Sequence, residues 1–212
     1  MRSSVILPEE VTSLIVHGIG SEPYNISQSV LLQGKNILNL IEGIRILHKI
    51  MPKAKVYLAL NCQRKKILEE INKLTTQYQW LEVCPLEPKY PQGFDEMLVP
   101  TLLQQKFPYG YSAANIGAVI LNLQAVLQVY EAVVEGKPLI ERTIALCGPA
   151  FKEPVHIKAR IGTALKDVVS VRIKEGITPR FILNGILTGP QLKDFTLPID
   201  KTYSRIIAIP EN

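Results

Sequence analysis

Polar side chains follow two predicted strands of this chain, where a parallel sheet would place its ligand. Glu22 lies in the loop at residues 18–24, after the first predicted strand, and Tyr90 and Gly93 lie in the loop at residues 85–93, after the third. Ligands of such sheets bind beyond the carboxyl ends of the strands. We therefore expect a binding site that is built from these two loops.

The second loop leads into a predicted helix at residues 94–104. Asp95 and Glu96 occupy its first turn, where carboxylates interact favourably with the helix dipole. The remaining peptide N–H groups of this turn suit an anion. Gly93 either allows another group to approach the backbone closely or only opens the helix, and both interpretations stay open.

The sequence gives no sign of a catalytic nucleophile or a metal site. Cys62, Cys84 and Cys147 stand far apart, whereas zinc sites and iron–sulfur clusters need clustered thiolates. No set of Ser or Cys with His and Asp suggests a triad. We therefore expect no catalytic residue, no metal and no iron–sulfur cluster in this chain, and we interpret His17 as structural, or else as a proton carrier or a ligand.

Composition indicates a globular protein that binds neither nucleic acid nor membrane directly. The 212 residues are 47% hydrophobic and carry a formal net charge of +5, with the basic residues scattered rather than arranged in a stripe. No apolar run approaches the ~20 residues that span a bilayer, and the amino terminus does not resemble a signal peptide. We expect a cytoplasmic location, with any membrane contact made through partners.

Strands and helices alternate over the first part of the chain. The predicted strands cover residues 11–17, 55–60 and 80–84, and the predicted helices run from Asn25 or Ser27 to about Ile50 and over residues 63–76. This βαβαβ pattern predicts an α/β domain with a parallel sheet and right-handed crossovers. The apolar stretch at residues 116–134 is interpreted as a buried helix, and residues 122–135 are predicted to be helical.

The pattern changes after Arg142, where strands dominate. Short strands are predicted at residues 143–147, 155–160, 181–183 and 205–209, with one short helix at residues 164–169. This arrangement suggests a small β-grasp module. We predict two domains, residues 1–138 and residues 139–212.

Several segments, in this order, resemble the RnfC family of electron-transport subunits. They are Glu22-Pro-Tyr24, Lys89-Tyr-Pro-Gln-Gly93, Gly136-Lys-Pro-Leu-Ile-Glu-Arg142, Gly148-Pro149, Arg160-Ile-Gly-Thr163 and Asn184-Gly-Ile-Leu-Thr-Gly189. The resemblance covers nearly the whole chain. It implies an α/β domain like the FMN-binding flavoprotein subunit of complex I, followed by a β-grasp domain of the SLBB type.

The resemblance also implies a function and a set of cofactor-binding residues. FMN would be the cofactor, NADH the electron donor, and iron–sulfur clusters or a membrane complex the destination of the electrons. The chain would associate with other subunits of the complex and lie peripherally at the inner membrane. The residues implied to bind the cofactor are Glu22, Tyr90, Gly93, Asp95, Glu96 and Asn122. Glu22 would line the cofactor pocket, or else only cap the next helix. Asn122 would contact the flavin phosphate, or else only satisfy backbone groups as a buried Asn.

This sequence departs from the family pattern at the implied flavin site. His17 replaces an Asn, Gly20 replaces a Glu, and Gln124-Ala125 replace a Gly-Thr pair. The Gly-rich flavin loop of the family is expected upstream of the first strand and is not among these residues. These departures predict weak FMN binding, so the chain would act as an NADH-dependent oxidoreductase subunit only with a complete flavin site. The alternative is a cofactor-free relative that acts as a binding or assembly module through its SLBB domain.

Overall fold

The chain divides into two compact units. The computed structural model describes residues 6–108, 110–194 and 196–211. The first unit contains the described residues up to Ser21 together with Leu31–Lys137, and the second contains Glu22–Val30 together with the described residues from Pro138 onward. The chain therefore enters the second unit twice, because the short segment Glu22–Val30 interrupts the first unit.

A four-stranded parallel sheet forms the centre of the first unit. Its strands are β1 (Ser13–His17), β2 (Lys55–Asn61), β3 (Leu81–Leu86) and β4 (Ala118–Asn122). They lie in the order β3-β2-β1-β4, and every neighbouring pair is parallel. This sheet confirms the predicted α/β class.

Helices cover both faces of this sheet. They are α2 (Asn36–Ile50), α3 (Lys65–Thr75), α4 (Asp95–Leu103) and α5 (Leu123–Val134), and a short α1 (Gln28–Leu31) lies where the chain returns from the second unit to the first. Leu14 and Val16 of β1 are buried in a cluster with apolar residues of α2, α3 and α5, whereas Ile15 is buried in a cluster with residues of α4. Alternate side chains of β1 thus anchor helices on opposite faces.

Two predictions about the elements of the first unit were wrong. The predicted helix ending near Ile50 is two helices, since Gly34 has a φ of +62° in the turn between them. The apolar stretch at residues 116–134 is not one helix, because residues 118–122 pair with β1 as β4 before α5 begins.

The second unit contains a mixed five-stranded sheet. Its strands are β5 (Glu141–Cys147), β6 (Val155–Arg160), β7 (Pro179–Leu183), β8 (Gln191–Leu192) and β9 (Arg205–Pro210), in the order β6-β5-β9-β7-β8, with the short helix α6 (Leu165–Val169) between β6 and β7 in the chain. β5 and β9 are parallel, and the other neighbouring pairs are antiparallel. Phe151, Leu146 and Ile206 are buried in the core of this unit.

Short 3-10 helices occur at Pro8–Glu10, Ala113–Ile116 and Ser170–Arg172. Among the described residues, no helix is both long enough and apolar enough to cross a membrane.

Candidate functional site

The order of the strands reverses between β1 and β4 of the parallel sheet. From β1 the chain adds β2 and then β3 on one side, whereas β4 lies on the other side of β1. His17 and Asn122, the last residues of β1 and β4, are register partners at this point of reversal. In open α/β sheets, ligands bind in the crevice beyond the strand ends where the order reverses. The side chains around His17 and Asn122 are therefore the candidates for a binding site.

Asn122 begins α5 and caps it. Its side-chain oxygen accepts a hydrogen bond of 2.9 Å from the backbone N–H of Ala125. This bond satisfies one of the N–H groups that helix geometry leaves without an acceptor in the first turn. Of the two interpretations of Asn122, the structure thus shows the backbone contact, and the residue is exposed rather than buried. A contact to a flavin phosphate stays a prediction.

Gln124, in the first turn of α5, was interpreted from the sequence only as a departure from the family pattern, and the state of its side chain was not predicted. Its side chain is only 7% exposed. Neither Oε1 nor Nε2 of its amide has a hydrogen-bond partner among the residues that the structure describes. Buried polar groups are nearly always paired, so this amide is an exception that needs an explanation. The sequence pattern itself offered one signal, which was a polar residue two positions after a helix cap in an otherwise apolar stretch.

His17 lies beside Asn122 at the strand end with a defined hydrogen bond. Its Nδ1 is 3.3 Å from the carbonyl oxygen of Ile19. Because a carbonyl oxygen only accepts, Nδ1 carries the proton in the neutral ring, and Nε2 is an acceptor. Burial lowers the pKa of His17, although the bond to Ile19 opposes this shift. The neutral form is therefore favoured, as expected for a structural histidine.

The loop after β3 crosses the sheet edge to contact the loop after β1. A Cβ atom added at Gly93 would lie 2.4 Å from the carbonyl carbon of Gly20 and 2.5 Å from the nitrogen of Ser21. Such distances are incompatible with any side chain, so Gly93 allows a close backbone approach. The approaching backbone is that of residues 20–21 of the same chain. This contact brings the second loop to the end of β1, where the strand order reverses.

The other predicted residues of this loop lie on the surface. Tyr90 is 56% exposed, and its ring packs edge-on against Phe94, with 6.1 Å between the ring centres. Asp95 and Glu96 begin α4 and are exposed. Partial burial and then the nearby charge of Glu96 raise the pKa of Asp95, and the exposure of the residue limits this effect.

Glu22 belongs to the second unit, where its carboxylate is fully engaged. It is 6% exposed and accepts hydrogen bonds from the backbone N–H of Leu187, at 2.8 Å, and from the hydroxyl of Thr188. Burial alone would raise the pKa of Glu22, but these hydrogen bonds and the charge of Arg205 outweigh it and lower the pKa. The carboxylate thus holds the loop at residues 185–188, and a contact to a cofactor stays a prediction.

Within the described ranges, no three His, Cys, Asp or Glu side chains lie in an arrangement that could hold a metal ion. The three cysteines are free thiols, and burial raises the pKa of both Cys84 and Cys147 to about 11.

Known proteins resemble this chain in both sequence and fold. The model of the family described as the Nuo51 FMN-binding domain matches residues 4–131, which is more than half of the chain. One component of the proton-translocating ferredoxin:NAD(+) oxidoreductase complex of Clostridium ljungdahlii is 30% identical over 206 residues. That match covers 96% of this chain and 44% of the relative.

A second relative and a solved structure extend these likenesses. One component of the ion-translocating oxidoreductase complex of Pseudomonas aeruginosa is 28% identical over 201 residues, covering 94% of this chain and 26% of the relative. This chain therefore spans less than half the length of either relative. A chain of an NAD+-reducing [NiFe]-hydrogenase, in the H2-reduced state, has the same fold with a TM-score of 0.73 at 15% identity, covering 95% of this chain and 41% of that one.

Proposed function

The chain belongs to the family of the Nuo51 FMN-binding domain, and we propose that it contributes to FMN and NADH binding as an electron-transport subunit. Electrons would leave toward iron–sulfur clusters or a membrane complex. The observation that carries the proposal is the family match itself, because it covers the parallel sheet and the edge where its strand order reverses. With a complete flavin site, the chain would act as an NADH-dependent oxidoreductase subunit.

The residues at this edge fit a flavin in two respects. The buried amide of Gln124 offers an unpaired donor and acceptor, which suits the polar edge of the ring. The first turn of α5, beside Asn122, offers peptide N–H groups that suit a phosphate. A bound flavin would supply the redox chemistry, taking electrons from a nicotinamide and passing them on.

The remaining predicted residues would shape the same site. Gly93 would hold the second loop against the end of β1, since its lack of a side chain permits the contact with Gly20. Tyr90, Asp95 and Glu96 are exposed around this loop and would meet the ring or the nicotinamide. Their role is to bind and orient, and no proton transfer is assigned to them.

The second unit would connect the chain to its partners. Its mixed sheet and short helix support assignment as a β-grasp domain of the SLBB type, and the break between Lys137 and Pro138 supports a domain boundary there. The names of the two relatives describe subunits of ion-translocating complexes. We therefore propose that the chain associates with other subunits of such a complex and meets the membrane peripherally, through them, on the cytoplasmic side.

One structural feature favours the alternative of a cofactor-free assembly module. Glu22, which the family resemblance assigns to the cofactor, is engaged by Leu187 and Thr188 instead. The chain would then keep the scaffold and its partners but lose the flavin, as the same fold can serve different functions.

Flavin titration separates the two proposals. We expect the fluorescence of FMN to be quenched as the protein is added, and NADH to bleach the absorbance of the bound flavin. The absence of quenching at every soluble protein concentration would contradict the flavin proposal. Capture of other subunits of the complex by a chain that shows no quenching would support the assembly module.

A further inference from the structure

The unpaired amide of Gln124 is the feature of the first unit that contacts with the described residues do not explain. A buried donor and a buried acceptor without partners cost stability, because both were hydrogen-bonded to water in the unfolded chain. Leucine or methionine would fill a similar volume without this cost. The amide is therefore explained if a ligand supplies the missing partners.

The direction of the side chain places the amide at the amino-terminal end of α5. Side chains of an α-helix lean toward its amino terminus, so a residue in the first turn points past the end of the helix. Gln124 also lies roughly 160° around the helix from Val126. Val126 faces α2, where a Cβ atom added at Gly43 would lie 2.6 Å from its carbonyl oxygen. The amide thus faces away from α2, at the strand end shared by Asn122 and His17.

The chemistry of the amide restricts the class of ligand. A carboxylate or phosphate would accept from Nε2 but leave Oε1 without a donor, and an apolar group would satisfy neither atom. A ligand edge that presents an N–H donor beside a carbonyl acceptor satisfies both atoms at once, in the way that glutamine pairs with a base edge. The pyrimidinedione edge of a flavin and the carboxamide of a nicotinamide both have this pattern.

We propose that Gln124 recognises a ligand through an adjacent N–H donor and carbonyl acceptor, and so selects an imide or carboxamide edge at the end of α5. This inference rests on the proposed function, since it names the group that this chain uses at the same site. It assigns the recognition to a residue that stands where the resembling family has glycine.

Paired ligands that differ in one hydrogen-bonding group test the proposal. Lumiflavin and N3-methyl-lumiflavin differ in the imide N–H, whereas nicotinamide mononucleotide and nicotinic acid mononucleotide differ in the carboxamide. For the full chain, we expect the unmodified member of at least one pair to bind about ten to a hundred times more tightly. The pair that shows the difference identifies the source of the edge.

A double-mutant cycle assigns the difference to Gln124. In Gln124→Leu, the preference within the pair should disappear, whereas Gln128→Leu, the same change one turn later on α5, should keep it. Equal binding of both members by the wild-type chain, or a preference that survives Gln124→Leu, would overturn the inference. If FMN binds equally well with and without the Gln124 side chain, the proposed function stays intact although the inference fails. If the wild-type chain binds neither flavin nor nicotinamide ligands, the inference and the proposed function both fail.

Thermal unfolding without ligand provides a second readout. Because leucine removes the unpaired donor and acceptor, Gln124→Leu should raise the unfolding temperature of the ligand-free chain, by about 2–4 °C. Gln128→Leu should not produce this increase. A lower unfolding temperature for Gln124→Leu would show that the amide already has a partner in the ligand-free chain, and the inference would fail.

Discussion

The carboxylate of Glu22 fixes a loop of the second unit through contacts that span 165 residues of sequence. The N–H of Leu187 and the hydroxyl of Thr188 donate to it, and the buried guanidinium of Arg205 lies in its field. Glu22→Gln should lower the free energy of unfolding by about 1–3 kcal/mol, because the amide loses the charge that strengthens these bonds. Glu22→Ala should lower the free energy of unfolding by about 3–5 kcal/mol. The two donors then lose their acceptor, and Arg205 loses the negative charge near it.

Urea unfolding, followed by circular dichroism, measures both changes. Glu153→Gln is the matched control, because Glu153 is an exposed glutamate of the same unit and its neutralisation should change the stability by less than about 0.5 kcal/mol. If Glu22→Gln proved as mild as the control, the hydrogen bonds to Leu187 and Thr188 would not hold this loop.

Individual residues of the site differ in how far the sequence predicts them. Asn122 precedes an apolar run, which is a recognisable cap signal, and the structure shows it capping α5. The partners of Glu22 could not be predicted, because they lie more than 160 residues away and no local pattern encodes that distance. The unpaired amide of Gln124 was equally hidden, since pairing depends on every group that surrounds a buried side chain.

At the scale of elements, the contact between the two loops depends on a glycine. A methyl group at Gly93 would collide with the backbone of residues 20–21, and a backbone cannot move aside as cheaply as a flexible side chain. Gly93→Ala should therefore destabilise the chain by about 2 kcal/mol or more and displace the loop from the end of β1. Thermal unfolding and, if FMN binds, FMN titration measure the two effects.

Gly136→Ala is the control for this substitution. Gly136 has a φ of +63° and no atom within 4 Å of an added Cβ, so alanine there meets backbone strain without a collision, at a cost of about 1 kcal/mol. A Gly93 variant no less stable than the Gly136 variant would mean that the loop tolerates the methyl group.

The sequence predicted most elements, and its misjudgement of β4 has a physical reason. Residues 118–121 form an apolar run without alternation, because β4 packs against buried clusters on both faces of the sheet. Such a run looks the same as the start of a buried helix, and α5 follows it with no intervening loop. β6, in contrast, was predicted with its observed bounds, since turn residues separate it from its neighbours.

At the scale of the molecule, the chain passes from the first unit to the second and back again near its amino-terminal end, and no local sequence pattern indicates this. Ile26 of the short segment Glu22–Val30 packs with Cys147 and Ile207, and the backbone N–H of Ser27 donates to Nε2 of His156 at 3.1 Å. The predicted boundaries placed this segment with the first domain, because it follows β1 directly. Only contacts between residues more than 100 positions apart assign it to the second unit.

The three histidines give the whole molecule a common response to pH. Burial lowers the pKa of His17, His48 and His156 below the ordinary value of about 6.5, although backbone hydrogen bonds oppose the shift for the first two. Since the unfolded chain binds these protons more readily, stability is greatest above pH 6.5 and falls as the pH drops below it toward the lowered values.

The structure therefore predicts a falling urea midpoint between pH 7.5 and pH 5.5. Carboxylates with lowered pKa, such as Glu22, add to the loss only below their ordinary value of about 4.5. Within the window, His156 contributes for a visible reason, because its protonation would place a proton on the nitrogen that accepts from Ser27. His156→Gln should flatten part of the profile, and replacement of all three histidines should flatten most of it. A wild-type midpoint that stayed constant over this range would mean that the histidines are as accessible to protons in the folded chain as in the unfolded one.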